Sequence, residues 1–125
     1  MVAGLLRFTF KKADRILKRS EFVHLSRHGR KLQNDVFIVV VLPGRTDRSR
    51  LGITVTRKVG KAVKRNRIKR LVREFFRRRE FQQTGVWDIN IIAKKGAAEL
   101  PSDLIFSALK SLFDQIARHF EQNQR

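Results

Sequence analysis

The chain has 125 residues, and its 29 Lys or Arg against 11 Asp or Glu give a formal net charge of +18, which favours a nucleic-acid partner. Because 42% of the residues are hydrophobic, including 10 Phe, a packed core is expected, which argues against disorder throughout. The absence of Cys excludes disulfides and cysteine zinc sites and is consistent with a reducing compartment.

The length predicts a single domain over residues 1–125, with residues 1–14 and 121–125 flexible. The apolar patch in residues 1–8 is too short for a secretory signal. No segment approaches the roughly 20 apolar residues that span a bilayer. We therefore expect a soluble, cytoplasmic protein that does not bind a membrane.

The first half of the chain predicts one helix and two strands. A helix is expected over residues 19–28, with Ser20 as its N-cap and Gly29 in a left-handed conformation at its end. The Val-rich run at 36–42 is typical of a buried strand. Residues 51–56 alternate between apolar side chains and Gly or Thr, which predicts a strand with one packed face and one polar face.

The second half predicts a helix over residues 62–79, a strand over 86–93 and a last helix over 103–120. In the first of these helices the apolar residues Ile68, Leu71, Val72, Phe75 and Phe76 share one face, and Asn66, Arg70, Arg73 and Arg77 lie opposite. The order helix, strand, strand, helix, strand, helix predicts a small α+β domain whose sheet is covered on one side by helices.

The segment 57–79 carries twelve Lys or Arg and one acidic residue, Glu74. Glu74 relieves the repulsion only through its i,i+4 relations with Arg70 and Arg78. A solvated helix face would carry charges of both signs, so this face is better suited to contact phosphates. Asn66 between two arginines, at 65 and 67, adds neutral hydrogen-bonding capacity beside two guanidinium groups that can grip phosphates bidentately.

Little in the sequence supports catalysis by the protein itself. His24 and His28 could share a metal ion, but no third ligand is suggested, and solvated or phosphate-facing histidines are the favoured interpretation. The turn around Gly60 could hold phosphate through backbone N–H groups but lacks the Lys-Ser or Lys-Thr of a P-loop. No paired spacing typical of a two-metal nuclease is found among Asp35, Asp47, Asp88 and Asp103.

The run at 65–76, RNRIKRLVREFF, resembles the signature of the bacterial ribonuclease P protein family, and it is highly specific. Residues 15–22, 51–58 and 91–96 are also similar to family segments, so the resemblance covers most of residues 13–117. It implies a small α/β sandwich like domain 2 of ribosomal protein S5, with a left-handed βαβ crossover through the basic helix.

The resemblance also implies a function. The chain would be the protein subunit of ribonuclease P, binding a catalytic RNA and the 5′ leader of precursor tRNA, with one protein per RNA. Chemistry would belong to the RNA and to Mg²⁺, which the RNA–protein complex requires. The protein alone would then bind no cofactor and would contain no catalytic residue and no metal ligand.

Two groups of site residues follow from the resemblance. Those implied to face the catalytic RNA are Arg65, Asn66, Arg67, Lys69, Arg70 and Arg73. Those implied to bind the leader, in a cleft between the first helix and the sheet, are Phe22, Phe37, Arg57, Lys58, Lys61 and Arg15. For Phe22 a core role is equally consistent, and for Phe37 the apolar run favours the core. The chain has Ser26 where many relatives have a second aromatic residue on the first helix, and Val40 where some have a Tyr on the strand.

Two alternatives from other classes stay open on the residues alone. A ribosomal or other RNA-architectural protein would share the size, the charge and the buried sheet. A protein-only ribonuclease would need clustered carboxylates that bind a metal ion.

Overall fold

A computed structural model describes residues 12–78 and 85–123. Within these ranges the order of the elements is α1 (Arg19–His28), β1 (Arg30–Gln33), β2 (Phe37–Pro43), β3 (Arg50–Thr54), α2 (Ala62–Arg78), β4 (Trp87–Ala93) and α3 (Ser102–Asn123). Two short 3₁₀ turns, Lys12–Asp14 and Lys95–Glu99, precede α1 and α3. In the part of the chain so described, no helix combines the length and the apolar character needed to cross a membrane. The α+β class predicted from the sequence is confirmed.

The four strands form one sheet in the order β1-β2-β4-β3. The central strand β2 is antiparallel to both β1 and β4, whereas β3 and β4 are parallel. Parallel neighbours need a crossover connection, and here α2 supplies it. The start of the edge strand β3 is partly covered, because Ile16 N–H donates to the Leu51 carbonyl at 2.9 Å and Arg15 forms a bridge with Leu51.

The larger core lies between one face of the sheet and the helices α2 and α3. All five apolar residues predicted to share a face of α2 are buried in this core. The sheet contributes alternate residues of β2 and β4, and α3 contributes its own apolar stripe. The members include Phe37, Val39, Val41, Ile89, Ile91, Ile105, Leu109 and Leu112. Helix α2 is thus fixed by burial, which leaves its opposite side to solvent.

The second face of the sheet is covered by α1, so the expectation of helices on one side only is wrong. Leu25 and Val40 are buried together there, and Phe22, Ile38 and Leu42 pack around them. Coverage on both faces explains why the run at 36–42 is continuously apolar instead of alternating. The second face of β3, predicted to be polar, is also partly covered. Its Gly52 is buried.

Both ends of α1 differ from the predicted capping. The bounds Arg19–His28 are confirmed, but the N-cap is Lys18, without a side-chain hydrogen bond, so Ser20 is not the cap. Gly29 is extended, with φ of −77°, and is not left-handed. A glycine is required at position 29 for a different reason, because a Cβ there would collide with the Val40 side chain and the Leu25 carbonyl.

Strand β1 was not predicted. Its four residues are mostly exposed and polar, so they carry no alternating pattern, and the strand is defined by its pairing with β2. Asn34 shapes the hairpin between them, since its side-chain oxygen accepts hydrogen bonds from the backbone N–H groups of Val36 and Phe37, each at 2.9 Å. At the other end of the chain, α3 extends to Asn123, beyond the predicted end at 120.

The predicted flexible segments fall partly outside the described residues. Residues 1–11 and 124–125 are not among those described. Within the segment 1–14, Lys12–Asp14 forms a 3₁₀ turn, and Asp14 is buried against Arg48 at 2.9 Å. The approach to α1 is therefore tied to the fold from residue 12 onward.

A buried ion cluster joins α1, β3 and β4. Arg50 Nε and Nη2 donate to the two carboxylate oxygens of Asp88 at 3.0 and 2.8 Å, and Arg50 Nη1 lies 2.7 Å from Glu21 Oε2. Hydrogen bonding to Asp88 raises the pKa of Arg50 above its usual value. Only 11% of the Arg50 side chain is exposed, so this cluster fixes α1 against the sheet.

Candidate RNA-binding surface

The turn between β3 and α2, residues 55–61, places its Lys and Arg side chains toward solvent. Val59 is buried and anchors the turn, and Gly60 has φ of +158°, a conformation that L side chains rarely adopt. Arg65 Nε donates to the Gly60 carbonyl at 3.1 Å and braces the turn against the first turn of α2. Arg57 and Lys58 are exposed in this turn, beyond the end of β3.

The outward face of α2 carries the predicted cations. Asn66, Arg70 and Arg73 are exposed, and Lys69 is partly exposed beside them. Among the described residues no carboxylate forms an ion pair with Lys69, Arg70 or Arg73. Aligned cations without counter-charges repel one another, so this face gains most from a polyanion.

The two arginines that flank Asn66 each donate hydrogen bonds to other residues of the protein. Arg67 Nη2 donates to the Leu100 carbonyl at 2.9 Å and lies 3.3 Å from the Ser102 hydroxyl oxygen, so it ties the start of α3 to α2. Arg65 is tied to the turn before α2 in the same way. Because a guanidinium has five N–H donors, both side chains keep donors for a partner while their orientation is fixed. Asn66 is exposed, whereas Arg65 and Arg67 are half-buried.

Glu74 neutralises a different part of the helix from the one expected. Its carboxylate contacts Arg77 at 2.6 Å and Arg78 at 3.0 Å, and the hydrogen bond from Arg77 lowers the pKa of Glu74. The contact with Arg78 is confirmed, whereas the structure shows no pairing with Arg70. The single acid of this segment therefore serves the C-terminal end of α2 and leaves the middle of the face positive.

A groove of about 250 Å³ runs along the β3 edge of the sheet. The residues lining it are Arg15, Ile16, Leu17, Phe22, Leu51, Ile53, Lys69 and Arg73. It therefore brings together members of both predicted groups: Phe22 and Arg15 from the leader group, and Lys69 and Arg73 from the catalytic-RNA group. The family resemblance assigned these residues to two separate surfaces. In the structure they are neighbours, because β3 lies at the edge of the sheet. We call this feature the edge groove.

Phe22 has both of the roles left open by the sequence. Its ring lies over Gly52, where an added Cβ would come within 2.5 Å of Phe22 Cε1, so one side of the ring packs on the sheet. The side chain is only half-buried and also lines the edge groove. An aromatic ring that is held in place yet accessible is suited to stack on a base.

The other predicted leader residues are distributed differently. Phe37 is fully buried in the core formed with α2 and α3, so it does not reach the edge groove, and the core role favoured by the apolar run is the one the structure shows. Arg57, Lys58 and Lys61 are exposed between β3 and α2, but they do not line the groove. Of the two departures from relatives, Ser26 is exposed on α1 and Val40 is buried beneath it.

No metal site emerges from the described side chains. In residues 12–78 and 85–123 no three His, Cys, Asp or Glu are placed to share a metal ion. The rings of His24 and His28 lie 4.7 Å apart. Desolvation lowers the pKa of His24, and the charges of Arg45 and His28 lower it further, against a smaller opposing effect of Asp88.

Comparison with known proteins gives a consistent match. A family model described as Ribonuclease P matches residues 10–117. The ribonuclease P protein component of Desulfosudis oleivorans is 44% identical over 118 residues, covering 94% of this chain and 98% of that protein. That of Desulforapulum autotrophicum is 47% identical over 111 residues, covering 89% and 95%.

Solved structures agree with the sequence match. The ribonuclease P protein of Staphylococcus aureus superposes with a TM-score of 0.76 at 34% identity, covering 85% of this chain and 96% of that one. The protein from Thermotoga maritima superposes with a TM-score of 0.72 at 36% identity, covering 81% and 96%. The likeness therefore extends over nearly the full length of both solved chains.

Proposed function

Because the chain belongs to the ribonuclease P protein family, we propose that it binds the catalytic RNA of that enzyme through α2 and the 5′ leader of precursor tRNA through the edge groove. Binding both would promote removal of the leader and so produce the mature 5′ end of tRNA. Family membership sets aside a ribosomal or other architectural protein. It also sets aside a nuclease that works without RNA.

The observation that carries this proposal is the uncompensated positive face of α2 next to a groove with an accessible aromatic ring. Guanidinium groups in a fixed orientation bind phosphates bidentately, which suits the backbone of a folded RNA. A ring flanked by cations suits a single strand of any sequence, because every base can stack and every linkage carries a phosphate. The two kinds of contact meet at Lys69 and Arg73, which belong to both surfaces.

For Mg²⁺, the proposed site residues do not fit a metal centre held by the protein. They are cations, one amide and aromatic rings, whereas Mg²⁺ in proteins is bound chiefly through carboxylates, phosphates and water. No carboxylate in residues 12–78 or 85–123 lines the edge groove, and those of Asp14, Glu21 and Asp88 are paired with arginines. We infer that the Mg²⁺ of the complex is held by RNA and that the protein supplies positioning alone.

A reconstitution experiment tests the function. Precursor tRNA is incubated at near-physiological Mg²⁺ concentration with the protein alone, with the catalytic RNA alone, and with both. We expect efficient cleavage at the leader junction only with both, because the protein adds affinity for leader and RNA but no chemistry. Cleavage by the protein alone, or an RNA reaction unaffected by the protein, would overturn the proposal.

A further inference from the structure

A second cavity, of about 580 Å³, adjoins the edge groove. It lies between the 3₁₀ turn Lys12–Asp14 and the loop that joins β2 to β3. The residues lining it are Lys12, Ala13, Arg15, Leu17, Thr46, Asp47, Arg48 and Arg50. Arg15 and Leu17 also line the edge groove, so the two cavities share a wall. We call this cavity the upstream pocket.

The walls of the upstream pocket are tied to the body of the protein. The buried carboxylate of Asp14 accepts a hydrogen bond from Arg48 Nη1 at 2.9 Å, which links the 3₁₀ turn to the loop before β3. Within that loop the Thr46 hydroxyl donates to the Arg48 carbonyl at 2.9 Å. On the other side, Ile16 is held to β3 through its backbone. The pocket therefore exists before any ligand arrives.

The lining has the chemistry of a site for single-stranded nucleic acid. Four of its eight residues are cations, against the single exposed acid Asp47. Arg48 still exposes 43% of its side chain despite its contact with Asp14, and Lys12 is exposed at the rim. Leu17 is 57% exposed between the two cavities, where its apolar surface can lie against a base.

The position of the upstream pocket determines which part of a bound RNA leader it would contact. The edge groove is bounded on one side by Lys69 and Arg73 of α2, the helix proposed to contact the catalytic RNA. No residue of α2 lines the upstream pocket. A strand that leaves the catalytic RNA and passes Phe22 in the edge groove therefore reaches the upstream pocket last.

We propose that the upstream pocket binds leader nucleotides farther from the cleavage site than those in the edge groove, with Lys12 and Arg48 on phosphates and Leu17 against a base. The proposal rests on the proposed function and extends it, because it makes the leader footprint longer than the groove alone. Affinity is then expected to keep rising with leader length after the edge groove is filled.

The test uses the reconstituted RNA–protein complex and precursor tRNAs whose leaders are lengthened one nucleotide at a time. We expect Lys12→Ala to match the unsubstituted protein with short leaders and to miss the gain in affinity with long ones. Leu17 also lines the edge groove, so Leu17→Ala should weaken binding at every leader length and weaken it more with long leaders. Lys12→Ala is also expected to reduce the salt slope of long-leader binding by about 0.7, the value for one phosphate of a single strand. Arg48 is not substituted, because its loss would remove a hydrogen bond to the buried Asp14 carboxylate and so affect the fold.

Matched controls carry the same chemical changes elsewhere. Lys31→Ala lies on β1, at the opposite edge of the sheet, and Leu104→Ala removes a side chain that is 48% exposed on α3. Both are expected to follow the unsubstituted protein at every leader length.

Three results would overturn the upstream pocket: no effect at any length, an equal effect at all lengths, or weaker binding of the catalytic RNA without substrate. A Phe22→Ala variant run in parallel separates this failure from that of the proposed function. If Phe22→Ala weakens short-leader binding while Lys12→Ala changes affinity at no leader length, only the upstream pocket is rejected. If Phe22→Ala is also insensitive to the leader, leader binding by this face fails as a whole.

Discussion

Replacing Asp88 with Ala is expected to lower the free energy of unfolding by about 3–5 kcal/mol, the usual cost of removing one partner from a buried ion pair. Asp88 accepts two hydrogen bonds from Arg50, whose side chain is 11% exposed. Without Asp88 the guanidinium keeps only Glu21 as a partner and has lost most of its hydration. Urea denaturation measured at equilibrium gives the change directly.

Asp47→Ala is the matched control for this prediction. It removes the same carboxylate from an exposed loop position, where a change within about 0.5 kcal/mol is expected. Equal unfolding midpoints for the two variants would show that the Arg50 cluster does not stabilise the fold. A large loss for Asp88→Ala alone would show that the Arg50 cluster stabilises the fold in addition to the apolar packing of α1 on the sheet.

Phe22→Ala is expected to weaken binding of precursor tRNA to the reconstituted complex by about 1–3 kcal/mol, the usual contribution of one stacked base. That corresponds to roughly 5- to 150-fold in the dissociation constant. Mature tRNA, which has no leader, should bind as before, because the ring faces the edge groove and not the face of α2. Dissociation constants for both substrates provide the measurement.

Phe22 also packs over Gly52, so two controls separate stacking from stability. Phe22→Leu keeps an apolar side chain of similar bulk on Gly52 but removes the ring, and should lose leader affinity with little change in thermal stability. Phe106→Ala removes a half-buried ring on α3 that stacks on Phe75 of α2, and Phe106 does not line the edge groove. It should lose stability without discriminating between the substrates. A Phe22→Ala variant that loses only stability would make Phe22 a core residue.

The elements with a strong hydrophobic period could be predicted from the sequence. The apolar stripe of α2 is buried as expected, and the bounds of α1 agree with the structure. The four residues of β1 have no such period, because an edge strand with exposed side chains gets its structure from its partner. The contact between Arg50 and Asp88 joins positions 38 apart in sequence, and no local pattern reports it.

Only part of the candidate site could be predicted from the sequence. The outward position of the cations of α2 follows from the burial of the opposite, apolar face of this helix. For β2, a period of two places Phe37 and Val39 on one face and Ile38 and Val40 on the other, but it does not say which face meets α1. Phe37 was grouped with the leader residues through the family resemblance alone, and it lies in the core that its apolar run favoured. The edge groove depends on the strand order, which only the fold supplies.

The salt dependence of catalytic-RNA binding tests the central claim, that the cations of α2 lie against phosphates of that RNA. Dissociation constants are measured over a range of salt concentrations for the unsubstituted protein, for Arg70→Ala with Arg73→Ala, and for Lys31→Ala with Lys110→Ala as the control. Losing two phosphate contacts should weaken binding and make the plot of log K against log salt shallower by about 1.4–1.8, while the control keeps the original slope. A double α2 variant whose line stays parallel to that of the unsubstituted protein would remove this face of α2 from the contact.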